Sequence, residues 1–226
     1  MNYTNQPFLG VCLIVRDESK VIDKLLASLK DRDGRWAFDE YVFVATGSTD
    51  GSAELGKKLA DKWEQWTGCN DSEGKIADFS AARNRNLAMA SHDAVLWLDG
   101  DDELVAGESL RKLAGEAPRG PSGAFSVVAP YEYDHDAQGR VTVLQWRERL
   151  VYPRAGYEWR GPVHEGLLGK AGTVPTSVQT DLFHVVHRRH EIAKPADPGR
   201  NLRILRQWFA ANGEAGPFPL SAKHDG

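Results

Sequence analysis

Unbroken apolar runs alternate with helix-spaced segments through the first half of the chain, and this order constrains the fold more than any other feature. The run Phe8 to Val15 (FLGVCLIV) is rich in β-branched residues, as expected of a strand covered on both faces. Similar runs lie at Glu40 to Thr46 and at Ala94 to Leu98. This alternation predicts an α/β fold, with a mainly parallel sheet, flanking helices and right-handed crossovers.

Helices are predicted between these runs. The first begins near Val21, with Asp17 or Ser19 placed to cap its start. Asp78 is expected to cap a third helix over FSAARNRNLAMAS. The second helix is predicted to carry an apolar face made of Leu55, Leu59, Trp63 and Trp66.

The second half of the chain has a different pattern. The stretches AFSVVAPYEYD and VTVLQWRERLVY predict two long strands in an antiparallel ribbon, joined through HDAQGR. An irregular segment rich in Gly, Pro and aromatic residues follows, and DLFHVVHRRH is predicted to be a final strand. An amphipathic helix marked by Leu202, Leu205, Trp208 and Phe209 is expected after the linker Pro195 to Gly199, and the last residues are expected to be disordered or cut.

Composition excludes several classes of protein. The net charge of −4 gives no overall attraction to nucleic acid or anionic membrane. Cys12 and Cys69 are the two cysteines, so neither a disulfide framework nor a CxxC metal motif is present and a cytoplasmic location is expected. Because no apolar run approaches the ~20 residues that span a bilayer, no membrane span is predicted.

The stretch LWLDGDDEL places acidic residues directly after a predicted buried strand. Ligands of open parallel sheets bind at the carboxyl ends of the strands, so Asp99 to Asp102 are predicted to lie at the ligand site. Clustered carboxylates repel one another unless a cation neutralises them, and Mg²⁺ or Mn²⁺ prefers such oxygen ligands. The alternative interpretation is a solvated acidic turn.

The segment ATGSTDGS lies between a strand and a helix. Its small and hydroxyl residues are suited to present backbone N–H groups to a phosphate or a base, although a simple turn with a helix cap is equally compatible. It is neither a P-loop nor a dinucleotide-binding GxGxxG motif.

Together, these segments resemble the GT-A nucleotide-sugar glycosyltransferases, specifically the inverting family 2. The resemblance rests on LIVRDESKVIDKLLASL, VFVATGSTDGS, DFSAARNRNLAMA and LWLDGDDEL, in the order found in that family. The later YEWRGPVHEGL and FHVVH resemble the C-terminal part of a soluble branch that often precedes TPR repeats.

The resemblance implies a set of donor-binding residues. Val15, Arg16, Thr46 and Asp50 are expected to border the nucleotide, but Ala45 stands where the family usually has an acidic residue, which leaves the donor base open. Arg83 is expected to contact the nucleotide or diphosphate, unless it is a surface arginine in an ion pair. Asp99 and Gly100 are expected at the nucleotide sugar, and the expected metal ligands are Asp99, Asp101 and His184, holding Mn²⁺ or Mg²⁺.

Inversion requires a base on the acceptor side of the metal. Glu165 is the first candidate and His164 the second, the alternative for Glu165 being a structural hydrogen bond in its loop. His184 is also compatible with a core position. A separate metal site using His187 and His190 is disfavoured, because strand periodicity does not place these histidines and His184 on one face.

The sequence thus predicts a metal-dependent inverting glycosyltransferase using a nucleoside-diphosphate sugar, expected to be UDP-linked, with an unidentified acceptor. The alternative is a catalytically inactive binding module that retains the GT-A fold. Residues 1–117 are expected to form the donor half, 118–195 the acceptor half of the same domain and 196–226 a C-terminal helix and tail.

Overall fold

A computed structural model describes residues 8–92, 94–116, 125–152, 156–170, 176–188 and 197–213. The helices are α1 (Ile22–Ser28), α2 (Ser52–Leu59), α3 (Phe79–Met89), α4 (Leu110–Glu116) and α5 (Arg200–Asn212), with a 3₁₀ turn at Gly107–Ser109. The strands are β1 (Leu9–Val15), β2 (Glu40–Ala45), β3 (Lys62–Gln65), β4 (Ala94–Asp99), β5 (Asp102–Val105), β6 (Phe125–His135), β7 (Val141–Val151), β8 (Tyr157–Arg160), β9 (Gly166–Gly169), β10 (Thr176–Gln179) and β11 (His184–His187).

One large sheet carries most of these strands. Its order is β3-β2-β1-β4-β7-β6-β11-β5, with β10 also paired to β6. The first four strands are parallel, whereas β7 runs antiparallel to both β4 and β6. The predicted α/β class, with a parallel sheet followed by an antiparallel ribbon, is therefore confirmed.

Helices cover both faces of the parallel part. Val11 and Leu13 of β1 pack in one cluster with the buried face of α1. The alternate residues Cys12 and Ile14 point the other way, where Cys12 shares a cluster with Leu87 of α3. Because successive side chains of a strand point to opposite faces, burial on both sides explains the unbroken apolar run of β1.

The two predicted halves of the domain share one hydrophobic cluster. It contains Leu13 from the first half together with Phe125 and Phe183 from the second. The predicted boundaries at 117/118 and 195/196 and the predicted tail lie outside the described residues. The predicted C-terminal helix is present as α5, and its Ile204 is fully buried. Among the described helices, none is long and apolar enough to cross a bilayer.

Two local predictions are wrong. Helix α2 ends at Leu59, and Trp63 belongs to β3, which pairs in parallel with β2. Helix α1 follows Val21 without a side-chain cap, because the carboxylate of Asp17 instead accepts hydrogen bonds from the backbone N–H and the hydroxyl of Thr49. The predicted cap of α3 is confirmed, since Asp78 accepts a hydrogen bond from the N–H of Ala81 at 2.9 Å.

Candidate active site

The carboxyl ends of β2, β1 and β4 lie side by side and form one edge of the sheet. Val15 pairs with Ala45, and Ile14 pairs with Asp99 on the other side. The N–H of Thr46 donates to the carbonyl of Val15 at 3.0 Å. This edge therefore gathers the ends of the strands from which the nucleotide-binding residues were expected.

Arg16 ties the end of β1 to the neighbouring loop. Its guanidinium donates to the carbonyl of Thr46 at 2.9 Å, to the carbonyl of Gly74 at 2.7 Å and to the side chain of Asn70 at 3.3 Å. The side chain of Val15 is buried in the core. At the end of β1, the sheet edge is therefore formed by the backbone of Val15 and the planar guanidinium of Arg16.

Asp50 organises the turn that precedes α2. Its carboxylate accepts hydrogen bonds from the N–H of Ser19 at 2.9 Å and from the hydroxyl of Ser52 at 2.6 Å. Partial burial would raise the pKa of Asp50, but the hydrogen bonds from Ser52 and Ser19 outweigh it and hold this pKa well below its usual range. Asp50 is thus ionised at neutral pH and fixes the turn at this edge.

Gly100 allows the chain to pass close to Glu18. A Cβ atom at Gly100 would lie 1.8 Å from Oε2 of Glu18 and 3.2 Å from a methyl group of Val15. A side chain at this position would displace the carboxylate of Glu18 and crowd Val15, so glycine allows the turn between β4 and β5 to approach the end of β1 closely.

Arg83 of α3 bridges two carboxylates. Its Nη2 lies 2.9 Å from Oδ1 of Asp99, and its Nε lies 2.6 Å from Oε1 of Glu165. The guanidinium is buried, with its carbon 4.4 Å from the ring centre of Trp97 and 5.3 Å from that of Trp159. Arg83 is therefore an internal connection between the end of β4 and the loop that carries Glu165.

Charge pairing keeps this group ionised. Burial alone would lower the pKa of Arg83, but the charges of Asp99 and Glu165 outweigh it and raise this pKa above its usual value. Burial alone would raise the pKa of Glu165, but the charge and hydrogen bond of Arg83 bring it below its usual value. Glu165 is consequently a carboxylate, and not a carboxylic acid, at neutral pH.

Glu165 and its neighbour His164 lie in different environments. Glu165 is buried, and its backbone carbonyl accepts a hydrogen bond from Arg147 at 3.2 Å. His164 is exposed and has a positive φ of 53°. The side chain of Asn201 on α5 donates to Nε2 of His164 at 3.2 Å. The loop thus presents a fixed carboxylate and an accessible imidazole next to each other.

A second group of titratable side chains lies just beyond, at the turn between β4 and β5. Asp101, Asp102 and His187 have ligand atoms within 4.8 Å of one another. Nδ1 of His187 lies 3.3 Å from Asp102 and 3.6 Å from Asp101. Burial lowers the pKa of His187, but the hydrogen bond that its ring donates to Asp102 and the nearby carboxylates outweigh burial and raise this pKa above its usual value. The carboxylates of this group therefore favour a positive charge at His187.

The expected metal ligands are only partly brought together. His184 lies on the opposite face of β11 from His187, and its Nε2 is 3.4 Å from Glu132. Asp99 pairs with Arg83, as described above. His187, which sequence reasoning did not select, takes the position beside Asp101 that was expected for His184. The sequence signal that separates the two histidines is strand alternation, which places His184 and His187, three residues apart, on opposite faces of β11.

The donor set at this turn fits a divalent cation held by Asp101 and His187. Carboxylate oxygens are ligands of Mg²⁺ and Mn²⁺, and imidazole nitrogen is a common ligand of transition metals. Asp102 is fully buried, and its carboxylate is engaged by the guanidinium of Arg149 at 3.0 Å and the hydroxyl of Tyr131 at 3.0 Å. It is therefore placed to support these ligands.

Residues 10–172 match the sequence model of the family described as Glycosyl transferase family 2. A TPR repeat-containing protein of Synechococcus elongatus is 31% identical over 161 residues, which are 70% of this chain and 34% of that protein. The SPbeta prophage-derived glycosyltransferase SunS of Bacillus subtilis is 24% identical over 211 residues, or 90% of this chain and 46% of SunS. The chain spans less than half the length of each of these relatives.

Two solved structures are similar to this chain at low identity. One is S. aureus TarS 1–349 in complex with UDP-GlcNAc, with a TM-score of 0.48 and 17% identity, covering 88% of this chain and 65% of that one. The other is mannosyl-3-phosphoglycerate synthase from Rubrobacter xylanophilus, with a TM-score of 0.48 and 15% identity, covering 97% of this chain and 77% of that one.

Proposed function

This chain belongs to glycosyl transferase family 2, and on that premise we propose that it transfers a sugar from a nucleoside-diphosphate donor to an acceptor hydroxyl, with inversion at the anomeric carbon. The observation that carries the proposal is the arrangement at one sheet edge. The ion-paired Asp99, Arg83 and Glu165 lie next to a turn at which Asp101 and His187 face each other. A cation site and a candidate base are thus offered by adjoining segments.

The donor is proposed to lie along the ends of β2, β1 and β4. Arg16 and the turn around Asp50 are held by the hydrogen bonds described above, which preorganises the edge for a nucleotide. We assign the donor a uridine base. Ala45 is fully buried and contributes no acidic group to base recognition, so the choice of base has to be tested directly.

Glu165 is proposed as the base. The charge and hydrogen bond of Arg83 keep it ionised in spite of its burial, and the ionised carboxylate is the state that accepts a proton. His164 is the second candidate, because its exposed ring lies one residue away; the hydrogen bond that Asn201 donates to its Nε2 would have to open before this nitrogen could accept a proton. Glu165 is preferred over His164 because its buried carboxylate has a fixed orientation, whereas the exposed ring of His164 does not.

The proposed reaction is a single displacement. The acceptor hydroxyl gives its proton to Glu165 while its oxygen forms a bond to the anomeric carbon of the donor. The bond between that carbon and the diphosphate oxygen breaks, and the electron pair leaves with the diphosphate. Asp101 and His187 are the residues that would hold a divalent cation, which when bound neutralises negative charge on the departing diphosphate.

A donor screen tests the proposal. Thermal unfolding is measured with UDP-, GDP- and dTDP-sugars, each with and without Mn²⁺, and with a CMP-sugar as a monophosphate control. The proposal predicts metal-dependent stabilisation by UDP-sugars and little effect of the CMP-sugar. Absence of stabilisation by every diphosphate donor, with and without Mn²⁺, would contradict it.

Glu165→Gln separates donor binding from transfer. The variant keeps a hydrogen-bonding side chain beside Arg83 but loses the proton acceptor, so transfer or donor hydrolysis is expected to fall by about 10²–10⁴-fold while donor binding remains. His164→Asn is the matched control on the neighbouring residue. If His164→Asn causes the large loss and Glu165→Gln does not, the assignment of the base is wrong.

An inactive binding module is the alternative function. It is favoured by Ala45, which replaces an expected acidic residue, and it predicts nucleotide binding without release of nucleoside diphosphate.

We propose the cytoplasm as the location, because Cys12 and Cys69 are both buried as free thiols.

A further inference from the structure

A β-bulge interrupts β7 directly beside the DGDD turn. Leu150 pairs with Val127 of β6, but the next pair is Glu148 with Val128, so the ladder skips Arg149. Pairing of β7 with β4 is described only at Val151 and Leu150. A bulge of this kind re-aims the side chain of the extra residue and is common beside active sites.

The bulge directs Arg149 into the protein interior. Its side chain is fully buried, and the guanidinium carbon lies 4.1 Å from the ring centre of Trp97 and 4.1 Å from that of Tyr131. Nη1 donates to Oδ2 of Asp102 at 3.0 Å. Within the described part of the chain, Nε and Nη2 of Arg149 have no hydrogen-bond partner. Burial of a cation with unsatisfied N–H donors is energetically unfavourable.

Asp102, which pairs with Arg149, also contacts groups on both sides of the turn. The same oxygen that Arg149 binds also accepts the backbone N–H of Asp99 at 3.0 Å. The other oxygen accepts the hydroxyl of Tyr131 at 3.0 Å and lies 3.3 Å from Nδ1 of His187. A single buried carboxylate therefore touches the backbone at the start of the turn and the imidazole that faces Asp101.

We propose that Arg149 is a positioning residue that fixes the carboxylate of Asp102. Through that carboxylate it sets the backbone at Asp99 and the ring of His187, and so the geometry of the cation site. The proposal deepens the proposed function and rests on it for the identity of the cation, but the internal linkage is a property of this chain alone.

Stability explains the presence of the buried Arg149–Asp102 ion pair less well than positioning does. Buried ion pairs are often replaced by apolar residues without loss of stability, because the desolvation of both charges offsets their attraction. Two unpartnered nitrogens make the offset larger here. What apolar residues cannot reproduce is the orientation of the carboxylate, and groups that orient metal ligands typically change metal affinity by about 10- to 100-fold.

The first test needs no metal. Hydrogen–deuterium exchange of the Asp99 amide is compared in the wild type, Arg149→Lys and the double variant Asp102→Asn with Arg149→Met. Arg149→Lys leaves Asp102 in place and so isolates the contribution of Arg149, and the double variant removes both buried charges together in case the single variant does not fold. Exchange at Asp99 is expected to accelerate about tenfold or more in both variants.

Arg111→Met is the matched control. Arg111 also forms an ion pair, with Asp39 at 2.7 Å, but Asp39 accepts the N–H of Leu9 at the opposite edge of the sheet. The control therefore loses a guanidinium and its ion pair away from the DGDD turn. Its exchange at Asp99 is expected to equal that of the wild type.

The second test titrates Mn²⁺ alone and follows the free ion by electron paramagnetic resonance. Arg149→Lys and the double variant are expected to bind Mn²⁺ about 10- to 100-fold more weakly than the wild type and the control. Folded variants with unchanged exchange at Asp99 and unchanged Mn²⁺ affinity overturn the positioning role. If the wild type takes up no Mn²⁺, the metal assignment fails, and the exchange rates still decide whether Arg149 orders the turn.

Discussion

Replacement of Arg83 by glutamine removes the cation that joins Asp99 to Glu165. Glu165 is 8% exposed and its carboxylate lies 2.6 Å from Nε of Arg83, so the variant leaves a buried charge without its partner. Breaking a buried ion pair on one side destabilises a protein by about 3–5 kcal/mol. With a slope of about 1–3 kcal/mol per molar urea, the midpoint of unfolding at pH 7 is expected to fall by about 1 M or more.

The loss of stability in Arg83→Gln should depend on pH. In the wild type the pKa of Glu165 is below its value in the unfolded chain, about 4.3, so its ionised form stabilises the fold above that pH and the contribution is lost as the pH falls. In Arg83→Gln, burial is left to raise the folded-state pKa above the unfolded value. Ionised Glu165 then destabilises the fold at pH 7, and protonation relieves it as the pH falls. The stability gap between the two proteins is thus widest near pH 7 and narrower at pH 5.

Urea unfolding of Arg83→Gln, Glu165→Gln and the double variant measures this directly. The double variant removes both charges, so the two sites are expected to show a coupling free energy of about 2–3 kcal/mol. Arg85→Gln is the control, since Arg85 on the same helix pairs with the partly exposed Glu64 and such a pair contributes about 0–1 kcal/mol. An Arg83→Gln variant as stable as the control, or a gap that does not change with pH, would refute the reasoning.

Three further predictions follow from the same geometry. His187→Ala is expected to weaken Mn²⁺ binding by about 10-fold or more, measured by titration of the free ion, whereas His184→Ala leaves it unchanged; equal effects would contradict the ligand assignment. Gly100→Ala is expected to destabilise the fold by about 1 kcal/mol in urea unfolding, because its Cβ would displace the carboxylate of Glu18 and lie 3.2 Å from Val15; unchanged stability would contradict this. Asp78→Ala removes the cap of α3 and is expected to cost about 1 kcal/mol in urea unfolding, whereas Asp78→Asn retains most of the stability.

The parallel core of the fold is predictable because its determinants are local in the sequence. β1, β2 and β4 are apolar on both faces, and the cap of α3 is set by Asp78. The long strands β6 and β7 are signalled by their length and alternation. These features depend on side chains within a few residues of one another.

Elements set by distant pairing were not predictable in the same way. The Trp63 and Trp66 pattern suggests a continued helix, but Lys62–Gln65 pairs with β2, and this tertiary contact prevails over local periodicity. The short strands β5, β8, β9 and β10 likewise depend on partners elsewhere in the chain. Each has only four residues, too few for a reliable periodic signal.

The site shows the same division. The motif residues mark the correct edge of the sheet, and the ion pairs of Arg83 connect two segments that were singled out separately. The sequence did not indicate the bulge at Arg149, nor the fact that Asp102 is neutralised from β7. Both depend on the register of β7 against β6 and β4, which composition and spacing do not encode.

Mn²⁺-dependent release of nucleoside diphosphate from a UDP-sugar tests the central claim most directly. The assay compares the wild type with Asp101→Asn, with Mn²⁺ and with EDTA, and uses Arg111→Met as a control far from the site. Release is expected from the wild type and the control with Mn²⁺, and it is expected to be lost with EDTA or in Asp101→Asn. Undiminished release in Asp101→Asn would contradict the cation site, and absence of release from the wild type with every metal and donor would contradict the transferase function.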